Sequence, residues 1–135
     1  MKLRVVSREL RAPGEQIMFN FEKLDVWHRA VDFADLIYRD TRSFPTDERF
    51  GLTNQMRRAA VSISSNIAEG TSRSSKTDFA RFIEISTGSL FEVVSQSFIA
   101  KRQGFLKDEQ FQILYAAAEE QSRMQSGLRK SLFVY

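Results

Sequence analysis

A chain of 135 residues with 42% hydrophobic content has the size of one domain and enough apolar side chains for one real core. It holds no cysteine, which excludes disulfides, thiolate metal sites and cysteine nucleophiles, and no run approaching the roughly 18 apolar residues of a membrane span. The net charge of +3 is modest, but residues 49–81 carry six cations (Arg49, Arg57, Arg58, Arg73, Lys76, Arg81) against two anions (Glu69, Asp78). A local basic excess of this kind points to nucleic acid better than the overall charge does.

Residues 1–18 read as a basic N-terminal extension, set off by the breaker pair Pro13-Gly14. They are expected to be disordered or not part of the native chain, with Met18 a plausible start. The opening Met1-Lys-Leu-Arg-Val-Val-Ser-Arg lacks the long apolar core and small-residue cleavage site of a secretory leader, so the cytoplasm is the expected compartment. Residues 19–135 form the folded domain.

A first helix is expected from Asp25, a good N-cap, to about Ser43, where Phe44-Pro45 ends it. Its apolar arc is wide, with Trp27, Val31, Ala34 and Tyr38 on one edge and Val26, Ala30, Phe33, Ile37 and Phe44 on the other. Together these span about 160°, more than the roughly 100° that one packing face needs. Pro45 to Leu52 is a connector with room for one helical turn. The second helix starts near Thr53, and Met56, Ala60, Ile63 and Ile67 fall within an arc of about 60°, a core stripe. Gln55, Arg58, Ser62, Ser65 and Glu69 form the opposite ridge, and Gly70 reads as the glycine just past the helix end.

Ser75-x-x-Asp78 resembles a capping box and opens a third helix running to about Gln103, before Gly104. Its main stripe is Phe79, Phe82, Ile83, Ser86, Leu90, Val93 and Ser97. Phe91 and Phe98 lie about 100–120° from that stripe, seven residues apart, and Phe105 continues the spacing. The fourth helix runs from about Asp108 to Ser131, with Phe111, Leu114, Ala118 and Leu128 on one side. No alternation of strand type persists, so the fold class is all-α: an up-down-up-down antiparallel four-helix bundle.

The run Gln55-Met-Arg-Arg-Ala-Ala-Val-Ser-Ile-Ser-Ser-Asn-Ile-Ala-Glu-Gly70, with "TSRSSKTDFARFIEISTGSLFEV" after it and "KLDVWHRAVDFADLIYRDTRSFPTDERFGL" before it, resembles a known family. It is similar to the four-helix bundle proteins encoded in intervening sequences of bacterial 23S rRNA genes, over roughly residues 19 to 132. The accessory protein of diversity-generating retroelements is similar to that family. The resemblance implies a homo-oligomer, a ring-shaped pentamer in the relatives best known structurally. In the retroelement relatives it also implies basic contacts to nucleic acid and to a partner protein such as a reverse transcriptase.

The aromatic seam supports self-association independently of the resemblance. One bundle does not need Phe91, Phe98 and Phe105 together with the broad first-helix flank of Val26, Phe33 and Ile37, so these six residues are the expected oligomer interface. The alternative places them under the connectors or the C-terminal tail. Small residues Thr87, Gly88 and Ser89 would let another helix approach closely.

Gly70-Thr-Ser-Arg-Ser-Ser-Lys76-Thr77 only superficially resembles a phosphate-binding loop, because Ser75 replaces the second glycine and a helix precedes it. The start of the third helix beside Arg73 and Lys76 still has room for one phosphate or sulfate. His28, the single histidine, reads as a surface residue with no companion for a metal site. Ser62, Ser64 and Ser65 have no histidine base at any obvious spacing and suit close helix packing better. Glu69 has no carboxylate partner on its helix.

No catalytic, cofactor or metal site is therefore expected. The leading expectation is a non-enzymatic scaffold binding RNA or DNA through Arg57, Arg58, Arg73, Lys76 and Arg81. That binding would be electrostatic and indifferent to sequence, since stacking aromatics are absent between Phe50 and Phe79. The alternative is a protein-interaction module that recruits a partner protein, its charges serving solubility. Neither reading involves a membrane.

Overall fold

The structure, a computed structural model, describes residues 18–133; of the extension expected over residues 1–18, only Met18 falls within them. Four α-helices build the molecule: α1 (Asp25–Thr41), α2 (Leu52–Thr71), α3 (Lys76–Arg102) and α4 (Asp108–Ser131). Single 3-10 turns at Asn20–Lys23 and Thr46–Glu48 precede α1 and α2, and no strand occurs among the described residues. The expected all-α bundle is what the chain forms.

Local chemistry accounts for most of the boundaries. Asp25 is the first residue of α1 rather than its cap, which is Leu24. There its carboxylate faces the positive end of the helix dipole. Thr41 closes the last turn of α1 by donating its Oγ1 hydroxyl to the Ile37 carbonyl at 2.7 Å. Ser75 caps α3, its Oγ accepting the Asp78 N–H at 3.0 Å, as the sequence predicts. Gly104 takes φ +78 just past α3, the left-handed position that favours glycine.

Gly70 corrects the sequence reading. It lies inside the last turn of α2, buried, and its φ is not positive. A Cβ there would stand 2.8 Å from Phe79 Cδ1 and 3.0 Å from Phe82 Cβ. Glycine is required because α3 crosses close above it, not because the helix must stop.

Sequential helices are neighbours, and α1 also packs on α4. The α2–α3 pair approaches closely through short side chains: Ser86 Oγ donates to the Ile63 carbonyl at 2.8 Å, and the Ser62 and Ser89 hydroxyls meet at 2.9 Å. Ile37, Met56, Ile63, Ile67, Ile83, Leu90 and Leu114 are fully buried between the helices. The stripe expected on α2 is thus the core stripe.

One edge of the wide α1 arc is used up inside the subunit. Val26, Phe33 and Ile37 are core residues, which removes them from the expected oligomer interface. The reason is that α1 meets two helices and the 3-10 turn before it, whose Phe21 ring lies 4.7 Å from Trp27. Phe105 also leaves the seam, half-buried against Phe44 with ring centroids 5.7 Å apart under the α1–α2 connection. His28 is buried rather than exposed, its Nε2 2.8 Å from the Glu22 carbonyl and its ring edge-on to Trp27. The same 3-10 turn covers it, and periodicity within the first helix carries no sign of that cover.

One buried acid has a testable consequence. Asp40 is buried near the end of α1, with Oδ1 3.8 Å from Arg39 Nε and Oδ2 without a hydrogen-bond partner among the described residues. Burial pushes its pKa above the ordinary 3.8, opposed by the neighbouring guanidinium. The folded state therefore holds this proton more tightly than the unfolded chain, and stability from this group is lost as pH rises from 3.8 through the raised folded value. Asp40→Asn is expected to raise Tm at pH 7, with the gain vanishing below pH 3.8. An equal gain at both pH values in thermal scans removes charge burial as the cause.

Candidate functional site

The five predicted cations do not form one patch. Arg57 and Arg58 sit early in α2 beside the end of α1, whereas Arg73, Lys76 and Arg81 gather around the α2–α3 turn. The thirteen helical steps from Arg58 to Thr71 separate the groups by about 20 Å.

Arg57 is committed to the fold. Its Nε donates to Thr41 Oγ1 at 2.9 Å, an Nη donates to the Tyr38 carbonyl at 3.4 Å, and the guanidinium lies 4.7 Å over the Tyr38 ring. This ties the start of α2 to the end of α1. Arg57→Ala is expected to cost about 1 kcal/mol in urea unfolding, while Arg58→Ala stays within about 0.5 kcal/mol. Equal costs for the two would deny Arg57 its structural role.

Arg73 bridges to Glu69 at 3.3 Å and lies 4.6 Å over the Phe82 ring, so its charge is partly matched. The Glu69 carboxylate thereby has an arginine partner one turn along the chain. Lys76 is exposed at the first position of α3. Arg58 and Arg81 are exposed and make no ion pair with any described residue. At the expected anion corner, Ser75 already takes one of the free N–H groups and Asp78 adds a carboxylate to the first turn. Both weaken the corner for a phosphate.

Phe91 and Phe98, unlike the other four residues expected at the interface, stay on the surface of the subunit. They are 64% and 47% exposed, on the flank of α3 that faces α4. With Val94, Tyr115, Glu119 and Arg123 they line an open groove of about 630 Å³ between α3 and α4. Phe98 packs edge-on to Phe111 at 4.9 Å and to Tyr115 at 6.3 Å, which fixes the wall of the groove. Tyr115 was not among the expected interface residues. Its signal is the spacing of one turn from Phe111.

Among the described residues, no group of three histidines, cysteines or carboxylates stands where it could hold a metal. Nor is any described helix long and apolar enough to cross a membrane.

The model of the family described as 23S rRNA-intervening sequence protein matches residues 22–127, most of the chain. The chain belongs to this family. A solved structure from Bacteroides thetaiotaomicron, described as a protein of unknown function from the S23 ribosomal protein family, is similar to this family member with a TM-score of 0.70. The two are 21% identical, and the likeness covers 78% of this chain and 98% of the other, so it speaks for the shared fold alone. No curated protein matches the chain. Neither description attaches an activity to the 23S rRNA-intervening sequence fold, so the reading of this member rests on its own surfaces.

Proposed function

We propose that this member of the 23S rRNA-intervening sequence protein family is a non-enzymatic cytoplasmic scaffold that assembles with copies of itself. The observation that carries this reading is the α3–α4 groove, where Phe91 and Phe98 remain exposed beside Tyr115. Apolar patches of this kind usually mark a partner surface. A groove that meets a different patch on the next copy makes a heterologous contact, and such contacts close into rings when the rotation allows. A pentamer is the ring that the family resemblance favours. Light scattering on a sizing column is expected to give a defined oligomer, and Phe91→Ser combined with Phe98→Ser is expected to reduce it to smaller species. A wild-type chain that runs as a clean monomer ends this reading.

A second element is nucleic-acid binding, favoured by Arg58 and Arg81, which are exposed and make no ion pair among the described residues. Alanine at Arg58, Arg73, Lys76 and Arg81 is expected to abolish retention on RNA or DNA at low salt, and wild-type affinity to fall steeply as salt rises. If neither replacement nor salt changes retention, the assembly instead serves to recruit a partner protein.

A further inference from the structure

Gly88 stands in the middle of α3 with nothing among the described residues of its own subunit to account for it. Its φ is not positive, and a Cβ at this position would meet no atom of the described residues within 4 Å. Gly70 is explained by the rings pressed against it; Gly88 is not. Glycine inside a helix costs about 1 kcal/mol relative to alanine. What bare backbone offers in return is close approach from outside.

Gly88 belongs to a regular row. Arg81, Ile85, Gly88, Glu92, Ser95 and Ile99 follow one another at alternating steps of four and three, the spacing of a helix seam, and every one is exposed. The row carries both signs of charge. Among the described residues Arg81 makes no ion pair, and Glu92 accepts only a 3.3 Å hydrogen bond from Gln96 Nε2. Phe91 and Phe98 point roughly 80–100° away from this row, so the row runs beside the groove and meets it at Ser95, which lines the groove's edge.

We propose that a second copy of this chain packs its α3 antiparallel against this row, about a two-fold axis passing between positions 86 and 87. In that register Arg81 faces the partner subunit's Glu92, and Ile85 rests against the partner subunit's Gly88. The contact is isologous, so each pair occurs twice. Charge selects the register: a slip of one heptad sets Arg81 against the partner subunit's Ile99 and Glu92 against the partner subunit's Gly88, leaving four charges unpaired. This seam differs in place and symmetry from the heterologous contact of the proposed scaffold, and it goes beyond that reading. It also assigns Arg81 to the seam, leaving Arg58, Arg73 and Lys76 for phosphate.

Light scattering on the full chain tests the pairing. Glu92→Arg is expected to halve the assembled mass, by setting like charges opposite one another without removing any cation. Arg81→Glu combined with Glu92→Arg is expected to restore it. Because the chain has no native cysteine, Ile85→Cys can be cross-linked to its copy with a short bis-maleimide. The two sites stand within one turn of each other in the proposed register. Ile99→Cys should remain unlinked, since its two copies lie about 37 Å apart along the helices. Unchanged mass in Glu92→Arg, a charge reversal that does not restore assembly, a monomeric wild type, or cross-linking at Ile99→Cys as efficient as at Ile85→Cys overturns the seam. If only the Phe91→Ser and Phe98→Ser combination lowers the mass, the seam fails and the scaffold groove stands; if only the seam variants do, the groove fails and the seam stands.

Discussion

Gly70→Val is expected to destabilise the protein by about 3 kcal/mol, seen as a lower urea midpoint with an unchanged slope. Two magnitudes compete at this position. Replacing a helical glycine gains up to about 1 kcal/mol of propensity. Against that, a Cβ must share space with Phe79 Cδ1 at 2.8 Å and Phe82 Cβ at 3.0 Å, and the latter sits on backbone that cannot swing aside. Overpacking of this kind costs about 1–3 kcal/mol, occasionally more, and the two further methyl groups of valine aggravate it. Gly70→Ala should fall between wild type and valine, because its propensity gain offsets part of the clash. At Gly88, where a Cβ meets open space within the subunit, the same alanine should leave subunit unfolding unharmed or improved. If Gly70→Ala stabilises the protein as well, the close crossing of α3 over α2 is not tight.

Gln125→Leu is expected to cost about 2 kcal/mol despite its similar volume. Gln125 is fully buried on α4, donating Nε2 to Thr87 Oγ1 on α3 at 3.0 Å and accepting from Gln121 Nε2 at 2.9 Å. Gln121 in turn donates to the Val26 carbonyl of α1 at 3.1 Å. The chain of amides therefore links three helices across the core. Leucine at 125 strands one amide proton of Gln121 in an apolar setting, and a buried donor without a partner costs about 1–3 kcal/mol. Replacing both glutamines by leucine removes the orphan together with its partner. The double variant should therefore be less destabilised than the sum of the singles, and close to the single Gln125→Leu. Strict additivity in a urea double-mutant cycle would mean that the two amides do not act as a unit.

These two sites show where reading along the chain succeeds and where it stops. The α2 stripe of Met56, Ala60, Ile63 and Ile67 was legible because a core face repeats every 3.6 residues, and all four are buried. Ser75 was legible as a cap because the bond it accepts comes from three residues away. The glutamines of α4 gave no such signal. Gln121 and Gln125 share a face with Leu114, Ala118 and Leu128, and only the arrival of Thr87 and the Val26 carbonyl makes burial of their amides tolerable.

The candidate surfaces divide in the same way. Phe91 and Phe98 were legible as excess apolar residues, since helix angles alone set them off the core stripe. Val26, Phe33 and Ile37 were not separable from them by angle, because a broad apolar arc on α1 can serve a second subunit or a second neighbour within the bundle. The five cations formed a single run in sequence, but the length of α2 spreads them over two ends of the helix and spends Arg57 on Thr41 and Tyr38.

By itself the sequence determined the number and approximate bounds of the helices, the Ser75 cap and the principal core stripe, because each depends on interactions within a few residues. Tertiary structure alone decided why Gly70 is glycine, that His28 is buried, which half of the α1 arc is core, and which arginines are tied to described neighbours. Each of those depends on what a residue meets after the chain has turned back on itself, and that neighbour is separated from it by one or more helix lengths of sequence.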